Sequence, residues 1–135
     1  AGRADKVPRM IAASTPLGNP IVRSFLRGLR RIEDLSPMEI KETSINEPLV
    51  SWHSFDGQLA LDALWESGGW ATYVSDSRMV EFSRMLARQE GLLVLPASAS
   101  ALAAVDSYFK DRKRGSGVES CVTVLTARKQ VPRRH

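Results

Sequence analysis

The stretch Glu90-Gly91-Leu92-Leu93-Val94-Leu95-Pro96-Ala97-Ser98-Ala99-Ser100-Ala101-Leu102-Ala103-Ala104 decides the fold. Residues 92–95 are an uninterrupted apolar run and read as a short buried strand. Pro96 breaks the run and suits the first turn of a helix, which the small residues then open. A strand that feeds a helix N-terminus through small residues lets backbone approach a bound ligand closely. Upstream, Gly91 reads as the left-handed C-cap of a helix over 77–90, with Met79, Phe82 and Leu86 on its inner face and Ser75 or Asp76 as its N-cap. Downstream, the helix over 97–110 places Leu102, Val105 and Phe109 at helical spacing. A polar loop over 110–117 and a last strand over 120–126 follow.

The same alternation runs back to the start. Residues 7–13 hold the apolar run Met10-Ile11-Ala12-Ala13, suited to a buried strand. Asn19-Pro20 is an N-cap followed by Pro at the first helical position. Ile21, Val22, Phe25, Leu26 and Leu29 then predict a helix ending near Arg30 and Arg31. Residues 58–67 predict a helix with Leu59, Ala60, Ala63 and Leu64 on one face, stopped by Ser67-Gly68-Gly69, and residues 71–75 predict a strand. Between them, residues 32–57 have no sustained period and are an irregular acidic loop segment. A connection of that length is functional or a lid.

Short apolar strands alternating with helices predict an α/β chain: a three-layer α/β/α, Rossmann-like domain with a short, mainly parallel sheet of about four strands. Residues 92–95 and the apolar-rich run over 120–126 are expected as central strands. Right-handed crossovers put ligand sites at the carboxyl ends of the strands, here Ser14-Thr15, Ser75-Asp76, Pro96-Ala97-Ser98 and Thr126-Ala127.

A length of 135 residues fits one domain, 1–135, with 128–135 as a basic tail. No apolar run approaches the roughly 18 residues of a membrane span. The single cysteine, Cys121, excludes an internal disulfide and a multi-cysteine metal site. Its apolar surroundings predict a buried structural thiol and, with no leader pattern at the start, a reducing, cytoplasmic setting. Charge is segregated: residues 1–31 carry seven Arg/Lys against one Asp, residues 32–76 one Lys against nine acids, and residues 77–135 eleven Arg/Lys against five acids. Without interleaved aromatics these blocks read as complementary solvated faces rather than a nucleic-acid surface. His53 and His135 lack metal-ligand spacing. Trp52, Trp65 and Trp70 read as packing residues, and Asp76 and Asp106 show no acid–base pairing.

Four stretches together resemble threonine synthase and its relatives, the fold-type II enzymes that use pyridoxal phosphate (PLP). Val7-Pro8-Arg9-Met10 with Pro20-Ile21-Val22-Arg23-Ser24-Phe25 is similar to that family's P-R-M and P-I-V-R-A-F. Glu42-Thr43 and Pro48-Leu49-Val50-Ser51-Trp52 resemble its E-T-I-A and N-P-V-S-W. Leu61-Asp62-Ala63-Leu64-Trp65-Glu66-Ser67-Gly68-Gly69, with Val74-Ser75-Asp76, resembles A-L-x-A-I-x-E-S-G-G and V-S-D. The opening stretch resembles E-G-I-x-x-E-P-A-S-A, and Val122-Thr123-Val124-Leu125-Thr126 resembles V-C-V-L-T. The shared order and near-matching spacing carry the likeness. It covers the C-terminal third or so of such an enzyme.

The resemblance implies a cofactor wall of Thr126, Pro96, Ala97 and Ser98 and a substrate-side loop of Glu47, Pro48, Ser51 and Trp52. Thr126 would face the pyridine nitrogen; read alone, it is a strand-end cap, and Ser98 and Ser100 are helix caps. Leu95 stands where the family has an acid, Ala127-Arg128-Lys129 follow where it has Gly-x-Gly, and the interval from Thr43 to Pro48 is shorter. Phe109-Lys110-Asp111-Arg112 spells the family's Schiff-base lysine segment outside its context, at a helix end in a charged loop, where a solvated ammonium is a poor imine former. The family's lysine segment and phosphate-binding glycine loops lie upstream of the matched region. The expectation is therefore a threonine synthase-like domain of a PLP enzyme of the β-elimination or replacement type. It has no catalytic residue or cofactor of its own, PLP belongs to the full-length family, and the domain is inactive alone. The alternatives are a stand-alone non-catalytic small-ligand or protein-binding module and a basic nucleic-acid-binding accessory. Self-association, or a partner covering the cleft at residues 48–52 and 95–97, is expected.

Overall fold

Two glycines and one asparagine set where the first helices begin and end. The Asn19 side chain accepts from the N–H groups of Ile21 (2.9 Å) and Val22 (3.3 Å), so α1 (Pro20–Leu26) starts at the predicted cap. It stops sooner than predicted. Gly28 turns left-handed at φ 75°, and the Leu29 N–H closes back on the Ser24 carbonyl at 2.9 Å, so the arginines at 30 and 31 lie past the end. The same device ends α2 (Gly57–Glu66), with Gly68 at φ 61° and the Gly69 N–H on the Leu64 carbonyl at 2.8 Å.

The computed structural model describes residues 5–112 and 120–130. Besides α1 and α2 they form β1 (Ile11–Ser14), a single 3-10 turn (Glu47–Leu49), β2 (Trp70–Tyr73), α3 (Asp76–Glu90) and α4 (Pro96–Asp111). β1 and β2 pair in parallel, Ile11 opposite Trp70 through Ser14 opposite Tyr73. The crossover between them carries α1, the irregular segment and α2. Ser75 caps α3 and Gly91 ends it at φ 67°, both as predicted. The pairs α1–α2 and α3–α4 flank the strands. No helix of the described residues is long and apolar enough to cross a membrane.

The α/β class holds, but the sheet of the described residues has two strands, not about four. Residues 92–95 and 120–126 form no strand. They approach near a single antiparallel bridge, Val94 to Arg128, with Leu95 N–H on the Ala127 carbonyl (3.1 Å) and Lys129 N–H on the Leu93 carbonyl (3.0 Å). An apolar run announces burial, whereas a strand needs a neighbour's backbone to complete its ladder. Neither run is fully buried: Leu92 and Leu93 are half-exposed, and Val122 and Val124 are 90% and 68% exposed. Only Val94 and, in part, Leu125 reach the core. Cys121 is accordingly exposed, not the buried thiol expected.

The core comprises Val74, Met79, Phe82, Leu86, Val94, Ala99, Ala103 and Ala104. α3 buries the predicted face. α4 buries its small residues and Tyr108, with Leu102 only partly packed on the core, Val105 half-buried and Phe109 exposed, because alanines let α3 come close. α2 likewise turns Leu61 and Leu64 inward and leaves Leu59 71% exposed. Trp65 stacks on Phe25 (4.2 Å) and donates to the Leu29 carbonyl (2.9 Å), and Trp70 meets Tyr108 edge-on (5.5 Å). Both are packing residues, as expected. Part of the predicted loop over 110–117 and most of the tail over 128–135 lie outside the described residues.

Candidate functional site at the carboxyl ends of the strands

α4 begins at the end of the sheet where β1 and β2 finish. Its N-cap, Leu95, offers no side-chain bond, and Pro96 occupies the first turn. Ser98 is buried, and its hydroxyl accepts from the N–H groups of Thr126 (2.8 Å) and Ala127 (3.2 Å). A hydroxyl has two acceptor positions, and both are taken. Ser98 therefore neither caps its own helix nor offers an acceptor to a ligand; it fastens a segment 28 residues away onto the helix N-terminus. Pro96, Ala97, Ser98 and Thr126 thus come together. Ala97 is buried and Thr126 faces solvent.

The other side of this end is occupied by the chain itself. Asn46 is only 3% exposed. Its amide donates to the buried Thr15 hydroxyl (3.1 Å) and the Lys41 carbonyl (3.4 Å), and its oxygen accepts from Thr43 N–H (2.8 Å). The Thr43 hydroxyl donates to Asp76 in the first turn of α3 (2.7 Å) and accepts from the N–H groups of Ile45 and Asn46. Ser51 N–H reaches the Gly18 carbonyl (2.8 Å), while Ile45 and Leu49 pack on the core. Residues 41–51 are therefore a strap tied across the end of β1 and the start of α3, touching α4 through the 3-10 turn.

Of the predicted substrate-side residues, Glu47 and Pro48 are exposed on the strap. The Ser51 hydroxyl donates to the His53 carbonyl, and Trp52, half-exposed, stacks on His53 (5.4 Å). His53 also meets Asp34 at 2.8 Å. Sequence reasoning placed Thr15 at a strand end and Thr43 in a family-like segment but missed Asn46, which joins them. A Thr43-x-x-Asn46 pair inside an acidic loop carries the mark of a self-bonded turn, and that was the available signal. Beside the strap, Leu17 sits left-handed at φ 53°, a conformation that costs a side-chain-bearing residue about 1–2 kcal/mol.

Titratable groups place Lys110 away from this site. Its ammonium bonds Asp106 at 2.7 Å, and Arg78 bonds the same carboxylate oxygen at 2.8 Å. The Lys110 bond, aided by Arg78, holds the Asp106 carboxyl below the usual carboxylate range against the opposing effect of burial. Ser98 and Lys110 lie at opposite ends of α4, about 18 Å apart at the helical rise per residue. At the end of β2, burial raises the Tyr73 phenol above its ordinary value while Arg23 opposes the rise. No group of three or more His, Cys, Asp or Glu suited to a metal occurs among the described residues.

PLP needs an amine for imine formation and a seat of N–H donors for its phosphate. At this end Ser98 is committed, Asn46 fills the space over β1, and Ala127 adds a side chain where the resemblance expects glycine. The lysines on adjoining segments, Lys41 and Lys129, are solvent-exposed. The described residues do not seat the group by themselves.

Residues 1–127 match the model of the family described as pyridoxal-phosphate dependent enzyme. A threonine synthase of Methanocaldococcus jannaschii is 34% identical over 110 residues, 82% of this chain and 26% of the relative. A threonine synthase of Methanosarcina acetivorans is 33% identical over 102 residues, 76% of this chain and 24% of the relative. The chain spans about a quarter of the length of these curated relatives. With the shared α/β architecture, the match over nearly its whole length makes this chain a member of the pyridoxal-phosphate dependent enzyme family.

Proposed function

We propose that the chain is one domain of a threonine synthase-like, fold-type II amino-acid enzyme of the β-elimination or replacement type, working in the cytoplasm and inactive alone. The observation that carries this reading is the Ser98 fastening, which gathers Pro96, Ala97 and Thr126 at one helix N-terminus, where the family likeness expects a cofactor wall. In such enzymes PLP supplies an electron sink. This chain's part is to hold the Thr126 hydroxyl in place and, through Glu47, Pro48, Ser51 and Trp52, to border the substrate. The imine-forming lysine and phosphate seat come from elsewhere.

The test is titration of the chain with PLP, borohydride trapping and peptide mapping. The expected result is label spread over exposed lysines without saturation, unchanged by Lys110→Ala. One lysine labelled to one equivalent, with the label lost on its substitution, overturns the reading. A second reading, a non-catalytic binding or regulatory module derived from this fold, is favoured by the strap: Asn46 bonded to Thr15 closes the space a ligand would enter.

A further inference from the structure

Trp52, His53 and Phe55 gather three rings just ahead of α2. His53 meets Phe55 edge-on at 5.0 Å and Trp52 at 5.4 Å. Residues 34 and 35 hold the cluster in place: Asp34 bonds the His53 Nδ1 at 2.8 Å, and the Leu35 N–H donates to the Trp52 carbonyl at 2.9 Å. Yet the rings are open to water, Phe55 at 96% and Trp52 at 48% exposure. A single exposed ring is ordinary, whereas rings gathered and fixed at the surface mark a contact face. The two stretches that build the cluster, residues 32–40 and 49–62, hold five acids and no Lys or Arg. Four of the acids are answered: Glu33 by Arg27, Glu39 by Arg23, Asp34 by His53 and Asp62 by Gln58. Asp56, beside Phe55, does not cap α2 and has no side-chain partner among the described residues. Elsewhere this chain sets arginine on its rings, Arg30 over Trp65 at 4.3 Å and Arg78 over Phe82 at 5.2 Å. The cluster at 52–55 has the rings and a carboxylate but, among the described residues, no such cation.

We propose that this cluster docks an arginine of a partner protein, with the guanidinium on the Phe55 and Trp52 rings and paired to the Asp56 carboxylate. Arginine fits better than lysine. Its planar head stacks on a ring face while its fork bonds a carboxylate, whereas an ammonium is a strongly hydrated point charge. An apolar side chain would cover the rings and leave Asp56 shielded from water without a partner. An acidic one would be repelled. Because Asp34 and Leu35 already fix the rings, docking orders little that is not ordered beforehand. The inference turns on Phe55 and Asp56, which the cofactor reading does not use.

The probe is the hexapeptide Gly-Arg-Leu-Arg-Leu-Gly, titrated into the whole chain and followed by NMR. Saturable shifts are expected at the His53 and Phe55 rings and the Gly57 amide together, weakening as salt is raised. Phe55→Ala and Asp56→Asn, both at exposed positions, are each expected to weaken binding about threefold, and the pair about tenfold. Replacing both peptide arginines by citrulline, which keeps the shape and removes the charge, is expected to weaken it at least about tenfold, and lysine in their place about threefold. The citrulline arm leaves the protein untouched, so it decides even if a variant fails to fold. Citrulline and arginine peptides of equal affinity, shifts that saturate at other residues, or full binding by the Phe55→Ala, Asp56→Asn pair overturns the proposal. So does a dimer of the chain that shifts the same resonances without peptide, since the occupant is then a second copy. No readout involves PLP, so failure here is separable from failure of the cofactor reading.

Discussion

Gly69 is the residue on which the join between α2 and the sheet depends. A Cβ there would fall against the Met10 carbonyl oxygen and within 2.9 Å of the Leu64 carbonyl oxygen, both backbone atoms that cannot turn aside. Gly69→Ala is therefore expected to cost about 1–3 kcal/mol, as overpacking does, read as a lower urea midpoint at unchanged slope. An unchanged midpoint would mean that β1 and α2 can part without loss. Ser67-Gly68-Gly69 was legible as a helix stop. That its last glycine makes room for a strand nearly sixty residues upstream was not, because close approach of distant backbone leaves no local pattern. Ser98 teaches the same lesson from the other side. The sequence marked it as a hydroxyl in use at a helix N-terminus, while its partners, Thr126 and Ala127, lie far along the chain.

At the scale of elements, the helices were the readable part. Caps at Asn19 and Ser75 and stops at Gly68 and Gly91 are local chemistry, so α2, α3 and α4 fall within a residue or two of expectation. Their buried faces were less readable. In α4, periodicity selected the large residues, whereas contact with α3 selected the small ones at Ala99, Ala103 and Ala104. The two apolar runs were misjudged as strands because a sequence displays a strand's side chains but not the neighbour that completes its ladder. The α3–α4 pair is also tied by charge, through Arg78 of α3 on Asp106 of α4, a carboxylate that Lys110 of α4 bonds as well. Asp106 has its folded pKa depressed, so its contribution is present above the unfolded carboxylate value and disappears as pH falls through the lower folded value. Asp106→Asn is expected to be less stable than the wild type near about pH 7, with the gap in urea midpoint narrowing below about pH 4. A gap constant across that range would assign the loss to packing instead.

On the scale of the whole molecule, burial is unevenly shared. α3 and α4 pack over the alanine face and hold most of the core, while two four-residue strands make a sheet too small to be stable without its helices. Residues 120–130 are joined to this body by few ties: two backbone bonds around Val94 and Arg128, the Ser98 hydroxyl, and Leu125 against the core. Regions with few buried apolar contacts and exposed backbone bonds open locally, well below the free energy of global unfolding. The free chain is therefore expected to exchange its amides in a fixed order: residues 120–130 first, the strap over 41–51 next because Asn46 and Thr43 lock it from within, and α3 with α4 last. Mass spectrometry of exchange over time reads that order directly. The order also bears on function. Thr126 belongs to the segment expected to open first, so its hydroxyl is held well only when something further braces that segment. Protection of residues 120–130 equal to that of α4 in the free chain would show that Ser98 and Leu125 suffice to hold the segment.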